Sequence, residues 1–202
     1  MASFSTFKTL AEALVYFNIS EQSKNLFPNL TTYIEVPAFL AEELEFNITE
    51  MPYNASEAAI CEMVIFPILK SIWKPFAKKL LLWSHQSVSK DAEVSGIPDY
   101  ILAKRSPLGR VMSLPMLVMI EAKKDNFDEG WGQCVAQMIA AQKLNNDPYV
   151  VYGIVTNGDT WQFGYLESQH LFKHFQSLSL SDLQKLYNTL HFVFKECEKQ
   201  IG

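Results

Sequence analysis

The sequence predicts an α/β fold, a mixed central sheet flanked by helices, and three observations carry that prediction. The run LPMLVMIEAKK, Leu114 to Lys124, opens rich in Val, Ile, Leu and Met, as a buried strand does. YVVYGIVTNGDTWQFGYL, residues 149–166, places Asn157-Gly158 between two β-forming runs and reads as a hairpin. Between and around these strands lie segments with apolar residues at helical spacing, among them 56–69, about 130–144 and 183–193.

Taken in order, residues 6–17 show a stripe of Phe7, Leu10, Leu14 and Phe17 and predict a helix. A turn containing Pro28 and Asn29 follows, and PAFLAEELE, 37–45, predicts a short second helix with Pro37 in its first turn. Residues 1–53 are expected to form a helical extension, by default a layer packed on the core and otherwise a dimer surface or partner site, with the core spanning 54–202. A longer helix starts at Asn54, with Glu57 three residues on as in a capping box. Pro67 bends or restarts it. Lys70, Lys74 and Lys78 recur every four residues beside Lys79, a stripe that reads as a solvated face by default and as a phosphate-tracking face in the alternative.

LLLWSH (80–85), IPDYILAKR (97–105) and the 114–124 run predict three strands joined by turns, an antiparallel meander. DNFDEGWGQ then leads into a helix over about 130–144, in which Gln133 and Gln137 lie one turn apart on one face. Residues 145–148 end that helix. The first hairpin strand continues the sheet beside the 114–124 strand. Ser181, with Gln184 three residues on, caps a closing helix with an apolar face of Leu183, Leu186, Leu190 and Val193.

The chain has 202 residues, enough for one domain with an appended helical layer, and 49% are apolar. No apolar run approaches the roughly 20 residues needed to cross a bilayer, and the N-terminal segment lacks a signal-peptide pattern, so no membrane partner and a cytoplasmic location are expected. Cys61, Cys134 and Cys197 are odd in number and widely spaced, which predicts reduced core thiols rather than disulfides or a zinc site. The sequons at Asn18, Asn29, Asn47 and Asn54 carry little meaning without secretion. A net charge of −5 argues against sequence-independent coating of nucleic acid. His85, His170, His174 and His191 fall in no metal-ligand spacing and are assigned no chemistry.

The chemistry-bearing residues stand at the end of the third strand. Glu121 and Lys123 share one face, roughly 7 Å apart, and Ala122 points the other way. A carboxylate and an ammonium at the end of a core strand are paired, ligating something, or both. Asp99, after Pro98, is the natural third member. Glu57 either satisfies its helix N-terminus or reaches this cluster, and Glu62, on the stripe with Ala58, Phe66 and Leu69, is its rival.

Pro98-Asp99 followed by Glu121-x-Lys123 resembles the motif of the PD-(D/E)XK nuclease superfamily. SEAAICEMVIFPIL (56–69), QCVAQM (133–138) and TNGDTWQF (156–163) resemble, in the same order, the opening helix, the Gln-bearing helix and the Thr-Asn-Gly hairpin in the nuclease domain of type I restriction subunits. The resemblance implies a restriction-endonuclease-like αβββαβ core over 54–202 and a metal-dependent cut in DNA. It also implies Mg²⁺, with Mn²⁺ able to substitute, on Asp99, Glu121 and the main-chain carbonyl of Ala122. Lys123 orients water and neutralises charge, Gln133 contacts Lys123 or the scissile phosphate, and the family position brings Glu57 to the cluster. Cutting both strands of a duplex favours a homodimer. The sequence departs from the restriction subunits in carrying Gln137 where they carry Tyr and in having no helicase motor after the domain. The superfamily also includes noncatalytic subunits, so a module binding DNA or a partner protein is the alternative.

Overall fold

The computed structural model describes residues 2–28, 30–31, 33–88, 94–146 and 149–202. Asn29, Asp147 and Pro148, to which the sequence assigns turn and helix-ending roles, lie outside the described residues. The chain runs β1 (Ala2–Ser3), a 3-10 turn, α1 (Leu10–Phe17), β2 (Ser20–Lys24), α2 (Ala38–Glu50), α3 (Glu57–Ile60), a π-helical turn (Cys61–Ile65) and α4 (Phe66–Trp73). After a second 3-10 turn come β3 (Leu80–Ser84), β4 (Val94–Ser95), β5 (Tyr100–Lys104), β6 (Met116–Ala122) and α5 (Phe127–Asn145). The remainder is β7 (Val151–Thr156), β8 (Thr160–Glu167), β9 (His170–His174), β10 (Leu178–Ser179), a third 3-10 turn and α6 (Leu183–Gln200).

An open, mixed, eight-stranded sheet orders its strands β2-β9-β8-β7-β6-β5-β3, with β10 pairing β8 off that path. β3, β5 and β6 are the predicted antiparallel meander, and β6 and β7 are parallel. A parallel pair needs a crossover, which α5 supplies. The register shifts between Leu102 and Ala103, so Leu117 and Val118 both join one core while Met116 and Met119 join the other. One face of the sheet packs against α2, α3, α4 and α6 through Leu40, Ile68, Leu69, Ile72, Leu190 and Phe194. The opposite face packs against α1 and α5 through Leu10, Trp131, Val135 and Met138. β6 is buried along its whole length because it is covered on both sides.

Several local expectations need correction. The N-terminal extension is not wholly helical: β2 lies at the sheet edge, parallel to β9. Its SEQSK sequence is mostly exposed and carries no apolar alternation, so backbone pairing with β9 alone makes it a strand. The second helix runs from Ala38 to Glu50, well past residue 45. No capping box joins Asn54 to Glu57; Ser56 is the cap, its Oγ accepting from the Ala59 N–H at 3.1 Å. At the other end Asp182, not Ser181, caps α6 by accepting from Lys185 N–H. The hairpin has a three-residue loop, 157–159, in which Gly158 alone takes a positive φ, +88°. Asn157 acts instead through its side chain, whose Oδ1 accepts from Thr160 N–H at 2.8 Å.

Pro67 sits in the first turn of α4, immediately after the π-helical turn. Having no N–H, it cannot bond the carbonyl of Met63 four residues back. The Asn47 side-chain amide donates to that carbonyl at 2.8 Å, tying α2 to the break.

Candidate active site

The antiparallel register between β5 and β6 pairs Tyr100 with Ile120, which sets Asp99 against Glu121 on the same sheet face, toward α5. Asp99 Oδ2 accepts from Ala122 N–H at 2.7 Å. Burial pushes the Asp99 carboxyl above its ordinary range, against the lowering effect of that N–H, His85 and Lys123. Glu121 is only 5% exposed. Its Oε1 meets Lys123 Nζ at 3.1 Å and its Oε2 accepts from Gln137 Nε2 at 2.6 Å. Burial and then the Asp99 charge push Glu121 up to about 7. Burial depresses Lys123, but Glu121, with Glu57 and Asp99 behind it, more than offsets this and keeps the ammonium charged.

Of the two rival acids, Glu57 is the one at the cluster. As the first residue of α3 it accepts from Lys124 N–H at 3.3 Å and lies 4.0 Å from Lys123 Nζ. Glu62 instead lines a neighbouring cavity with Cys61, Phe66, His85 and Tyr100. The two glutamines divide differently from the expectation. Gln133 donates to Glu129 Oε1 at 2.9 Å, and Gln137, one turn further, reaches Glu121. The sequence reading missed two residues of the site. The sequence places Gln137 on one face with Gln133, and in the resemblance it is a departure from Tyr, but the site role is given there to Gln133 alone. His85 was assigned no chemistry, yet its Nε2 lies 3.4 Å from Asp99 Oδ1, because it follows β3 directly and stands opposite Asp99 in that register. With φ +51° and an Nδ1–Ser84 Oγ hydrogen bond of 2.8 Å, its ring is turned toward the carboxylate.

Gly130 allows α5 to approach. A Cβ there would come 2.6 Å from Val155 Cγ1 and 3.0 Å from Lys123 Cγ, so glycine leaves room for the lysine stem under the helix. The helix itself is pinned at both ends. Asn126 caps it by accepting from Glu129 N–H at 3.1 Å, and Asn145 exchanges hydrogen bonds of 2.8 and 2.9 Å with the backbone of Met116 at the start of β6.

Two facing carboxylates, both raised by burial and one by the other's charge, form a hard-oxygen donor set short of positive charge. Such a set fits Mg²⁺, which takes one or two carboxylates and keeps water for the rest of its shell. No group of three or more His, Cys, Asp or Glu side chains that could hold a metal ion occurs among the described residues. The Gln137 Oε1, buried beside Glu121, has no hydrogen-bond partner among the described residues.

The site and the sheet beneath it define an α/β protein with a carboxylate–lysine cluster at strand ends. No family model matches the chain, and no curated protein matches it in sequence. No helix among the described residues is long and apolar enough to cross a membrane.

Proposed function

We propose that this chain is a divalent-metal-dependent nuclease hydrolysing phosphodiester bonds of DNA in restriction or DNA processing, built on a restriction-endonuclease-like αβββαβ core. The observation that carries the reading is Asp99 facing Glu121 across adjacent strands, with the Lys123 ammonium 3.1 Å from Glu121. The succession α3–α4, β3, β5, β6, α5, β7 supports the core.

Asp99, Glu121 and the Ala122 carbonyl would hold Mg²⁺ or Mn²⁺, which supplies electrophilic stabilisation of the phosphorane and acidifies a water. Lys123 orients that water and offsets charge developing on the phosphate oxygens. Glu57 keeps the lysine on this side of the strand, and Gln137 fixes the Glu121 carboxylate through its second oxygen. The buried, unpaired thiols of Cys61, Cys134 and Cys197 suit a cytoplasmic setting. Cutting both strands of a duplex calls for a homodimer with two such sites.

One observation favours a second reading, a noncatalytic DNA-binding or protein-interaction subunit: both Glu121 oxygens are already engaged, by Lys123 and by Gln137. Calorimetric titration of Mn²⁺ into wild type and Asp99→Ala/Glu121→Ala, beside cleavage of plasmid and single-stranded DNA, separates the two. The nuclease reading expects metal binding that the double variant loses, together with cleavage by wild type. The absence of both metal binding and cleavage at saturating metal would overturn it.

A further inference from the structure

Beside the cluster lies a cavity of about 220 Å³ lined by Ala58, Cys61, Glu62, Phe66, His85 and Tyr100, with Ser84 at its edge. His85 belongs to both places, since it lines this cavity and stands 3.4 Å from Asp99. Whatever fills the cavity is therefore next to the carboxylate pair. The walls are flat rings: Phe66 lies parallel to Tyr100, 12° apart with centroids at 6.1 Å, and His85 meets Tyr100 edge-on at 6.0 Å. Tyr100 is fixed, its hydroxyl donating to the Cys61 carbonyl, whereas Phe66 is 38% exposed at the mouth of the cavity, which leaves part of its ring open to a ligand. Glu62 is exposed and makes no hydrogen bond or ion pair with another described residue.

A second cavity, of about 240 Å³, shares Glu62 and Phe66 with the first and continues along Phe39, Glu43, Lys70 and Lys74. Cations and rings alternate there, with Lys70 Nζ 5.9 Å from the Phe66 centroid and Lys74 Nζ 4.9 Å from that of Phe39. The lysine stripe therefore does more than solvate a helix face. Two of its members, Lys70 and Lys74, line the cavity that shares Glu62 and Phe66 with the one His85 borders.

We propose that these joined cavities take a single nucleic-acid strand, with one unpaired base held against Phe66 in the first cavity and the flanking phosphate on Lys70 and Lys74. A base carries a flat π-face that any aromatic ring accepts, and lysines spaced along a groove track the backbone. Glu62 is an acceptor for an exocyclic amine, so cytosine and adenine bind in preference to thymine. A base paired inside a duplex has its faces covered by the stacked neighbours and cannot lie against Phe66, so paired DNA is the poorer ligand. This rests on the nuclease reading and names the substrate class at that same site.

The test is fluorescence anisotropy of labelled twelve-nucleotide dC, dA and dT strands and a hairpin duplex, in EDTA, so that no step depends on metal or on cleavage. Wild type is expected to bind dC and dA strands more tightly than dT and much more tightly than duplex. Phe66→Leu, which keeps an apolar side chain and loses the ring, should weaken binding about tenfold. Glu62→Gln should erode the preference over dT, and Lys70→Ala/Lys74→Ala should weaken all strands and flatten the salt dependence. Equal affinity for duplex and single strand, or unchanged binding by Phe66→Leu in protein with the wild-type thermal melt, would overturn the proposal. Cleavage assays on the same variants keep the two ideas apart: metal-dependent cleavage without single-strand preference sinks only this inference, while the preference without any cleavage sinks the nuclease reading.

Discussion

Asp99→Asn keeps the shape of the side chain and an oxygen that can accept from Ala122 N–H, and removes one of the two facing charges. The charge matters because Glu121 titrates at about 7 rather than 4.5. That rise is worth roughly 3 kcal/mol against the ionised, folded state. Burial accounts for the larger share and Asp99 for the next. Two unit charges across a strand pair, at about 5 Å and an effective dielectric of about 20, repel by on the order of 1–3 kcal/mol. The sign follows from linkage: a raised acid holds its proton longer folded than unfolded, so its stabilising share is full below the ordinary value and is lost as pH climbs to about 7. Wild type should therefore lose stability between about pH 4.5 and 7, and Asp99→Asn should lose less. Urea unfolding in EDTA at pH 5 and pH 8 reads this directly. The expected result is near equality at pH 5 and a variant more stable than wild type by on the order of 1–3 kcal/mol at pH 8. A variant that is less stable at pH 8 would refute the reasoning, since Asp99 would then be a structural partner of His85 and Ala122 rather than a charge held against another. Mg²⁺ at about a hundred times its Kd should recover about 2.7 kcal/mol for wild type and little for the variant.

Lys123→Ala should leave the fold intact and cut the rate of metal-dependent cleavage on the order of a hundredfold or more, measured on plasmid DNA under single-turnover conditions. Gly130→Ala places a Cβ against Val155 and the Lys123 stem, and should cost about 1–3 kcal/mol in a denaturant melt while lowering cleavage through a displaced lysine. Asn47→Ala strips the Met63 carbonyl of its donor and should cost about 1–3 kcal/mol of stability with no change in cleavage rate.

The sequence disclosed the parts of the fold that leave a pattern in their side chains. β6 was legible as an unbroken apolar run, the β7–β8 hairpin as β-forming runs around Asn157-Gly158, and α6 from its apolar face at helical spacing. The edge strand β2 was not, because an exposed strand is held by backbone hydrogen bonds that place no demand on side-chain type. In the site, Asp99, Glu121 and Lys123 were legible from their motif, and the register then set Asp99 opposite Glu121. Which acid of Glu57 and Glu62 turns to the cluster was not, since it depends on a π-helical turn that rotates the helix between them. His85 was missed for a related reason. Its position opposite Asp99 is a matter of pairing across strands and leaves no trace in sequence spacing.

The choice between the two glutamines shows how far from the site its geometry is set. α5 cannot slide, because Asn145 grips Met116 and Asn126 caps the opposite end. With that register fixed, Gln137 falls over Glu121 and Gln133 falls one turn back, against Glu129. Glu129 Oε1 in turn receives Lys8 Nζ at 3.0 Å, and Asp128 beside it accepts from Leu10 N–H at 3.1 Å. Thr9 sits between, its side chain capping α1 and its carbonyl close against Gly132. The N-terminal segment is thus joined to the first turn of α5, the turn that overlies Lys123. A substitution such as Lys8→Ala breaks an exposed pair worth well under 1 kcal/mol, but backbone contacts from Leu10 and Thr9 would remain to hold the turn. The extension therefore acts as a buttress for the helix that positions Gln137, and its contribution to the site lies in packing rather than in any charge it presents.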